Sequence, residues 1–132
     1  MSKSNYLENA LLSHELGHST FTRPATHYFA LFTAAPSDAG GGTEISGSGY
    51  ARASATNDGS LWSSPSGGSS SNALPVQFPE PSGSWGTATH FGIFDAASGG
   101  NLLRWGALTT PRAFDSGFIP FFPAGSIVIS ED

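Results

Sequence analysis

Two short apolar runs joined by a turn sequence dominate the hydrophobic pattern of this chain. Residues 87–94 and residues 102–108 are each of strand length, and apolar side chains recur at alternate positions. Residues 95–101 read DAASGGN, a composition typical of turns because Gly and Asn tolerate positive φ. The pattern predicts a β-hairpin at the centre of the fold. Its apolar side chains are expected to share one sheet face: Phe91, Ile93, Leu103 and Trp105.

Only the first segment of the chain has the spacing of a helix. Apolar residues recur at positions 7, 10, 11, 12 and 16, and Ser4 precedes them as a suitable N-cap. Gly17 suits the left-handed residue that follows a helix. We therefore predict a short amphipathic helix over residues 5–16.

The other apolar runs are short and separated by turn residues, which predicts strands. The chain contains 17 Gly and 9 Pro among 132 residues, a share that disfavours long helices. Besides the hairpin, strands are predicted at residues 25–33, 50–56, 73–78 and 126–130, with long loops at residues 34–49 and 57–71. The fold is expected to be mainly β, a single-domain β-sandwich or small barrel of about seven antiparallel strands with a short N-terminal helix.

Length and composition set the domain organisation and exclude several classes of function. One domain is expected over residues 1–132, with an N-terminal helix or arm at 1–19 and a β domain at 25–132. Charged residues make up 11% of the chain and the net charge is −5, so no basic face for nucleic-acid phosphates is expected. The chain has no Cys, and no apolar run approaches the ~20 residues that span a bilayer. Because the N-terminus lacks the pattern of a signal peptide, the mature chain is expected to start near Met1.

The segment HELGH at residues 14–18 matches the zinc-protease signature H-E-x-x-H. On a helix, His14 and His18 would share one face and bind zinc, with Glu15 as the general base. A catalytic zinc needs a third protein ligand, and the positions where the extended motif has Gly and His hold Phe and Pro here. Gly17 is also expected to end the helix between the two histidines. We therefore interpret the motif as a polar helix end, and we predict no metal, no cofactor and no catalytic residue.

Trp62 and Trp85 are the remaining candidates for a ligand-binding role. Indole rings stack on sugars when they are exposed, and the same rings serve as core or interface residues, which is the interpretation we favour. The sequence contains no G-x-S-x-G nucleophile motif and no phosphate-binding loop with its lysine. The motifs therefore do not predict an enzyme.

Several blocks of the chain resemble a family of small bacteriophage structural proteins. The most specific blocks are GTEISGSGYAR at residues 42–52 and GIFDA at residues 92–96. Shorter matches are YLENALL at residues 6–12, PAT at 24–26, ALFT at 30–33 and SWGT at 84–87. Members of this family are described as tail fibre proteins, and some similar small proteins serve as capsid cement or decoration. The resemblance implies a structural part of the virion.

The predicted function is therefore a capsid cement or decoration protein that stabilises a phage head through neighbouring subunits. A tail fibre or tail-tip component is the alternative, and a host-glycan-binding module is a further one. The partners are expected to be the major capsid protein or tail proteins, together with further copies of this chain. A trimer is favoured because it would match a local three-fold axis on a head. Neither nucleic acid nor a membrane is an expected partner.

Candidate assembly or interface residues are Glu44, Tyr50, Arg52, Trp62 and Trp85. Arg52 is one of only five Lys and Arg residues and lies in a predicted strand. We expect Arg52 to pair with Glu44 across the Gly-rich loop and to hold that loop in place. The alternative is a solvated strand residue, since exposed ion pairs add little stability.

Overall fold

The computed structural model describes residues 1–131 and has a mainly β architecture with one short helix. The elements of these residues are, in chain order, β1 (Ser2–Lys3), α1 (Asn5–Glu15), β2 (Thr26–Ala34), β3 (Thr43–Glu44), β4 (Ala53–Thr56), β5 (Ser69–Ser71), β6 (Val76–Gln77), β7 (Thr87–Phe94), β8 (Leu102–Ala113), β9 (Phe121–Phe122) and β10 (Val128–Ser130). No helix in residues 1–131 has the length and apolar character that a membrane crossing requires.

The three longest strands form the centre of one antiparallel sheet. Its order is β1–β8–β7–β2, and β3 and β4 both pair with the outer edge of β2. The predicted hairpin is present, since β7 and β8 pair with each other, and β2 pairs with the other side of β7. The register places Leu31 opposite Phe91 and Phe29 opposite Ile93. Because directly opposite residues point to the same side of a sheet, these four apolar side chains lie on one face.

That face carries the main hydrophobic core. Two small two-stranded ribbons, β5–β10 and β6–β9, lie outside this sheet. Val76 of β6, the neighbouring Phe78 and Ile127, and loop residues such as Leu61 add to the core, so it lies between layers as in a sandwich. The Phe91 and Phe122 rings are 5.3 Å apart, which joins the main sheet to the β6–β9 ribbon. Large buried members of the core include Phe29, Leu31, Leu61, Phe78, Trp85, Phe91, Ile93, Phe114 and Ile127.

The prediction that Trp105 lies on this face is wrong. Leu103 is buried in the main core, but Trp105 lies opposite Gly92 and therefore on the other side of the sheet. The reason is a β-bulge, because the register shifts after Ile93 and leaves Leu103 without a direct partner. An extra residue in one strand reverses the side to which later side chains point. The Trp105 indole Nε1 instead donates a hydrogen bond to Asp38, at 2.8 Å.

The N-terminal helix begins and ends close to where the sequence predicts. The Ser4 hydroxyl accepts a hydrogen bond from the Leu7 amide at 3.2 Å and donates one to the Leu102 carbonyl at 2.5 Å. The first bond caps the helix, and the second attaches its start to β8. Leu7 is the buried residue of this helix, and Gly17 follows the helix end with φ of +82°. The first turn of the helix is thus bonded to the sheet, and Leu11 packs against the core in a later turn.

The short strands differ most from the prediction. Strands β1, β3, β5 and β9 occur where no strand is predicted, and β8 continues five residues beyond its predicted end. β5 consists of three serines, and its pairing with β10 is what makes it a strand. A polar segment of this kind has no apolar alternation, so its pairing cannot be seen in a local pattern.

The two ends of the chain meet in a group of three charged side chains, which we call the terminal cluster: Lys3, Arg104 and Glu131. The Lys3 Nζ lies 2.6 Å from one Glu131 carboxylate oxygen, and Arg104 forms an ion pair with the other. The hydrogen bond from Lys3, together with Arg104, lowers the pKa of Glu131 below its usual value. The Glu131 side chain is 45% exposed, so solvent screens this cluster.

Candidate functional site

The most extensively bonded side chain among the candidates is Arg52, which lies just before β4. Its Nε and Nη2 donate to the two carboxylate oxygens of Glu44 at 2.9 and 2.8 Å, a bidentate ion pair. Its Nη1 donates to the carbonyl oxygens of Ala96 and Gly99 at 2.8 and 2.9 Å. The guanidinium carbon also lies 3.7 Å from the centre of the Phe94 ring, at the distance of a cation–π contact.

These contacts join the two sequence blocks that carry the family resemblance. Glu44 and Arg52 come from the GTEISGSGYAR block, and their partners at residues 94–99 come from the end of β7 and the hairpin loop. The Arg52 side chain is only 6% exposed. A charge this deeply buried is tolerated because its hydrogen bonds are made to fixed partners.

The hairpin loop is ordered from its other side by Asp95. The Asp95 carboxylate accepts hydrogen bonds from the backbone amide of Asn101 at 2.7 Å and from its side-chain amide at 2.9 Å. Asp95 thereby ties the two ends of the loop together. The loop that carries the carbonyls contacted by Arg52 is thus closed by hydrogen bonds of its own.

Tyr50 extends the Arg52 cluster, which we define as Glu44, Tyr50 and Arg52, into the core. Its hydroxyl donates to the Glu44 carboxylate at 2.7 Å and accepts from the Leu31 amide at 3.1 Å. Burial and the hydrogen bond to Glu44 raise the pKa of the Tyr50 phenol. The Tyr50 ring packs edge-on against Trp85, with centroids 5.2 Å apart. The cluster thus connects an edge strand, a loop and the core.

The two tryptophans have different environments. Trp85 is 4% exposed, and its Nε1 donates to the Ser48 carbonyl at 2.9 Å, so its ring is a core residue and offers no face to a sugar. Trp62 is half-buried; its Nε1 donates to the His27 Nδ1 at 3.0 Å, and its ring packs near Phe29. Burial, with a contribution from the charge of Arg104, lowers the pKa of His27 to about 4. Both indoles therefore serve packing within this chain.

The H-E-x-x-H motif does not form the arrangement that a zinc protease uses. The helix ends at Glu15, and Gly17 with positive φ turns the chain before His18 is reached. His14 and His18 therefore do not follow each other on one helical face. The His14 Nδ1 accepts a hydrogen bond from the Phe21 amide at 3.1 Å, so it orders the chain after the helix. Residues 1–131 contain no group of three His, Asp or Glu side chains placed to hold a metal ion.

A comparison with known protein families decides what kind of protein this is. The model of a family described as "Podophage GP4 fiber I protein gp80" matches residues 2–130. The chain belongs to this family. The resemblance to small phage structural proteins is confirmed, and the chain is a virion-associated protein of the tail-fibre type. A search of curated proteins finds no match.

Part of the Arg52 cluster was predicted from the sequence. The predicted Glu44–Arg52 ion pair is present. The contacts of Arg52 with the hairpin loop were not predicted, because they join residues 44 to 47 positions apart in the chain. Asp95 and Asn101 were seen only as turn residues, although they shape the loop that Arg52 contacts. Whether any of these residues contacts another virion protein remains a prediction.

Proposed function

We propose that this protein is a structural component of a phage tail fibre that acts by contacts with other virion proteins. The observation that carries the proposal is the family match over nearly the whole chain, because the family is described by a fibre protein. This description favours the tail-fibre alternative over the capsid cement that the sequence analysis placed first.

The hydrogen bonds that the polar side chains make within this chain support a structural, non-catalytic role for the protein. Arg52, His14 and His27 are the residues that a search for reactive groups would select, and each is bonded to a partner inside the chain. These three groups order loops and strands of this chain, which supports a structural role.

Both ends of the chain belong to the same unit in this proposal. β1 pairs with β8, and the terminal cluster connects Lys3 near the start of the chain to Glu131 near its end. We therefore treat residues 1–132 as one structural module, in which residues 1–19 form a helical arm on a β domain at 25–132. The partners of this module are other phage structural proteins, tail proteins first among them.

The position of the chain in the virion tests the proposal directly. Purified virions are labelled with antibodies against the chain and examined by electron microscopy, and the copy number is measured by quantitative mass spectrometry. Label confined to the tail with few copies per particle is the expected result. Label spread evenly over the head, with hundreds of copies as expected from capsid symmetry, would contradict the tail-fibre role and support a cement protein.

A further inference from the structure

The later turns of α1 present two apolar side chains that are at least half exposed. Leu12 and Leu16 are 51% and 65% exposed, and their spacing of four residues places them on one side of the helix. Leu7 points to the core instead and is 6% exposed. The helix therefore has a second apolar side that is directed away from its own β domain.

A matching apolar cleft lies on another part of the molecule. It has a volume of about 360 Å³ between the far end of β8 and residues 118–123, and buried aromatic side chains such as Phe78 and Phe91 form its floor. Two of its lining side chains, Phe118 and Phe121, are 50% and 57% exposed. A cleft of this size, with apolar walls, is typical of sites that receive a protruding apolar group.

The exposed apolar side chains are concentrated at these two places. Nine large hydrophobic residues are exposed among residues 1–131, and six of them belong to α1 with its cap or to residues 118–121. Single exposed apolar residues are ordinary on protein surfaces, but grouped ones mark interaction sites. The grouping indicates two contact surfaces and not scattered exposure.

The start of α1 and the cleft lie toward opposite ends of β8. The start of α1 is bonded to the backbone of Leu102 and Leu103, whereas the cleft is lined by residues 107–110 and by Arg112 of the same strand. Leu12 and Leu16 are not among the residues that line the cleft, and they stay exposed in this chain. Both surfaces are therefore open to their counterparts on a second copy.

The charges beside the two surfaces are opposite. Glu8 and Glu15 lie four residues before and three residues after Leu12, which places both carboxylates next to it on the helix. Arg112 is the charged side chain among the residues that line the cleft, it is exposed, and it forms no ion pair within residues 1–131. A docked helix would bring its acidic side to this arginine.

We propose that α1 of one copy docks in the cleft of a second copy, with Leu12 and Leu16 against Phe118 and Phe121 and the acidic side near Arg112. The contact is heterologous, because different surfaces of the two copies meet, and such contacts form rings when the rotation closes. The predicted trimer corresponds to a ring that closes after three copies. The proposal goes beyond the proposed function, since it holds wherever the protein lies in the virion.

The test uses the full chain and measures its molar mass by sedimentation equilibrium over a range of concentrations. The helix variant is Leu12→Asp with Leu16→Asp, the cleft variant is Phe118→Asp with Phe121→Asp, and the control is Leu74→Asp, an exposed residue outside both surfaces. The wild type and the control are expected to self-associate. The helix and cleft variants are each expected to lose at least tenfold in association constant.

Mixing the two variants gives the sharpest result. The helix variant keeps an intact cleft and the cleft variant keeps an intact helix, so an equimolar mixture is expected to form a one-to-one complex that grows no further. Arg112→Glu is expected to weaken self-association about two- to fivefold, and Glu8→Arg with Glu15→Arg in the same chain is expected to restore it. This charge exchange does not depend on how the aspartate variants fold.

Three outcomes would overturn the proposal. The first is a wild-type chain that stays monomeric up to about 100 µM, a concentration at which most specific complexes form. The second is self-association that neither double variant reduces. The third is an equimolar mixture of the two variants in which both remain monomers. None of these outcomes bears on the tail location, which the labelling of virions decides separately.

Discussion

The Arg52 cluster and the terminal cluster contain the same kinds of charged groups and differ in burial. The Arg52 side chain is 6% exposed and donates four hydrogen bonds, two to Glu44 and two to backbone carbonyls. Glu131 is 45% exposed, against 25% for Glu44, and the Lys3 and Arg104 side chains that share it are 24% and 13% exposed. The first cluster fixes two loops against the sheet, while the second connects the ends of the chain in contact with water.

The difference shows that the surroundings of an ion pair decide what it contributes. Breaking a buried pair leaves an uncompensated charge away from water, which costs several kcal/mol, whereas an exposed pair contributes about 0 to 1 kcal/mol. A count of ion pairs would rank the terminal cluster, which has two, above the Arg52 cluster, which has one. Substitutions in each cluster should separate them clearly.

The largest effect is expected for Arg52→Ala. It removes the bidentate partner of Glu44 and the donors to Ala96 and Gly99, and we expect the free energy of unfolding to fall by about 4 kcal/mol. The hairpin loop should also become more mobile, and association with other virion proteins should weaken. Urea denaturation measures the stability, and hydrogen exchange of residues 95–101 measures the loop.

Two further variants show what causes this loss. Arg23→Ala removes an exposed cation without an ion pair in the described residues and should change the free energy of unfolding by less than about 0.5 kcal/mol. Arg52→Lys keeps the charge but not the planar group that bonds both Glu44 oxygens, so it should recover only part of the loss. Equal stability of Arg52→Ala and Arg23→Ala would refute the structural role of the cluster.

A second test strains the glycine-rich loop that precedes Glu44 in the chain. Gly41 and Gly42 both have φ of +77°, a conformation that an added side chain strains by about 1 kcal/mol. A Cβ on Gly42 would also lie 2.7 Å from the Pro36 nitrogen and 2.9 Å from the Ala34 oxygen, whereas a Cβ on Gly41 would meet nothing within 4 Å. We therefore expect Gly42→Ala to cost about 3 kcal/mol and Gly41→Ala about 1 kcal/mol.

The matched backbone angles make this pair of variants informative, because the two costs differ only by the steric clash. Thermal unfolding of both proteins under the same conditions gives the comparison. Surface substitutions usually change the free energy of unfolding by up to about 0.5 kcal/mol. If the costs of the two substitutions differ by less than this, the loop at Gly42 must relax away from Pro36.

The central sheet could be predicted because its signals are local. β7 matches its predicted range, and α1 ends one residue before its predicted end. Turn residues, a helix cap and apolar alternation all lie within a few positions of one another in these elements. The side to which Trp105 points could not be predicted, because a bulge depends on how two strands pair and not on either strand alone.

The candidate site shows the same limit. Glu44 and Arg52 are eight positions apart across a glycine-rich loop, and their opposite charges suggested the ion pair. The function of the pair, which is to hold a loop more than 40 positions away, requires the fold to be known. The burial of Trp85 likewise depends on residues distant in the chain, Tyr50 and Phe114, whose rings pack against it, so its sequence context allowed both a core and a binding role.

The pH dependence of stability should distinguish the contribution of His27, in the core beside Trp62, from that of the solvent-exposed terminal cluster. His27 has a folded-state pKa of about 4 because burial and Arg104 disfavour its charged form, against an ordinary value of 6.5. Between these two values the unfolded chain binds a proton that the folded chain excludes, so stability should fall as the pH decreases from about 6.5 to 4. We expect this group to contribute a loss of about 2 kcal/mol, measured by urea denaturation at several pH values.

His27→Asn provides the matched variant for that titration. Asparagine keeps an acceptor for the Trp62 indole N–H but does not titrate, so the loss of stability over this pH range should become smaller. An unchanged pH profile in His27→Asn would show that another group causes the loss.

The smallest effect is expected for Glu131→Gln in the exposed terminal cluster. The hydrogen bond from Lys3, together with Arg104, lowers the pKa of Glu131, so the ionised carboxylate stabilises the fold above its ordinary pKa, and this contribution is lost as the pH falls through the lowered value. At pH 7 we expect a cost of about 0.5 kcal/mol that added salt reduces, because solvent already screens the pair. The difference from the wild type should vanish in acid, where both side chains are neutral. A cost at pH 7 as large as that of Arg52→Ala would mean that the attachment of the chain ends, and not burial, determines how much an ion pair stabilises this fold.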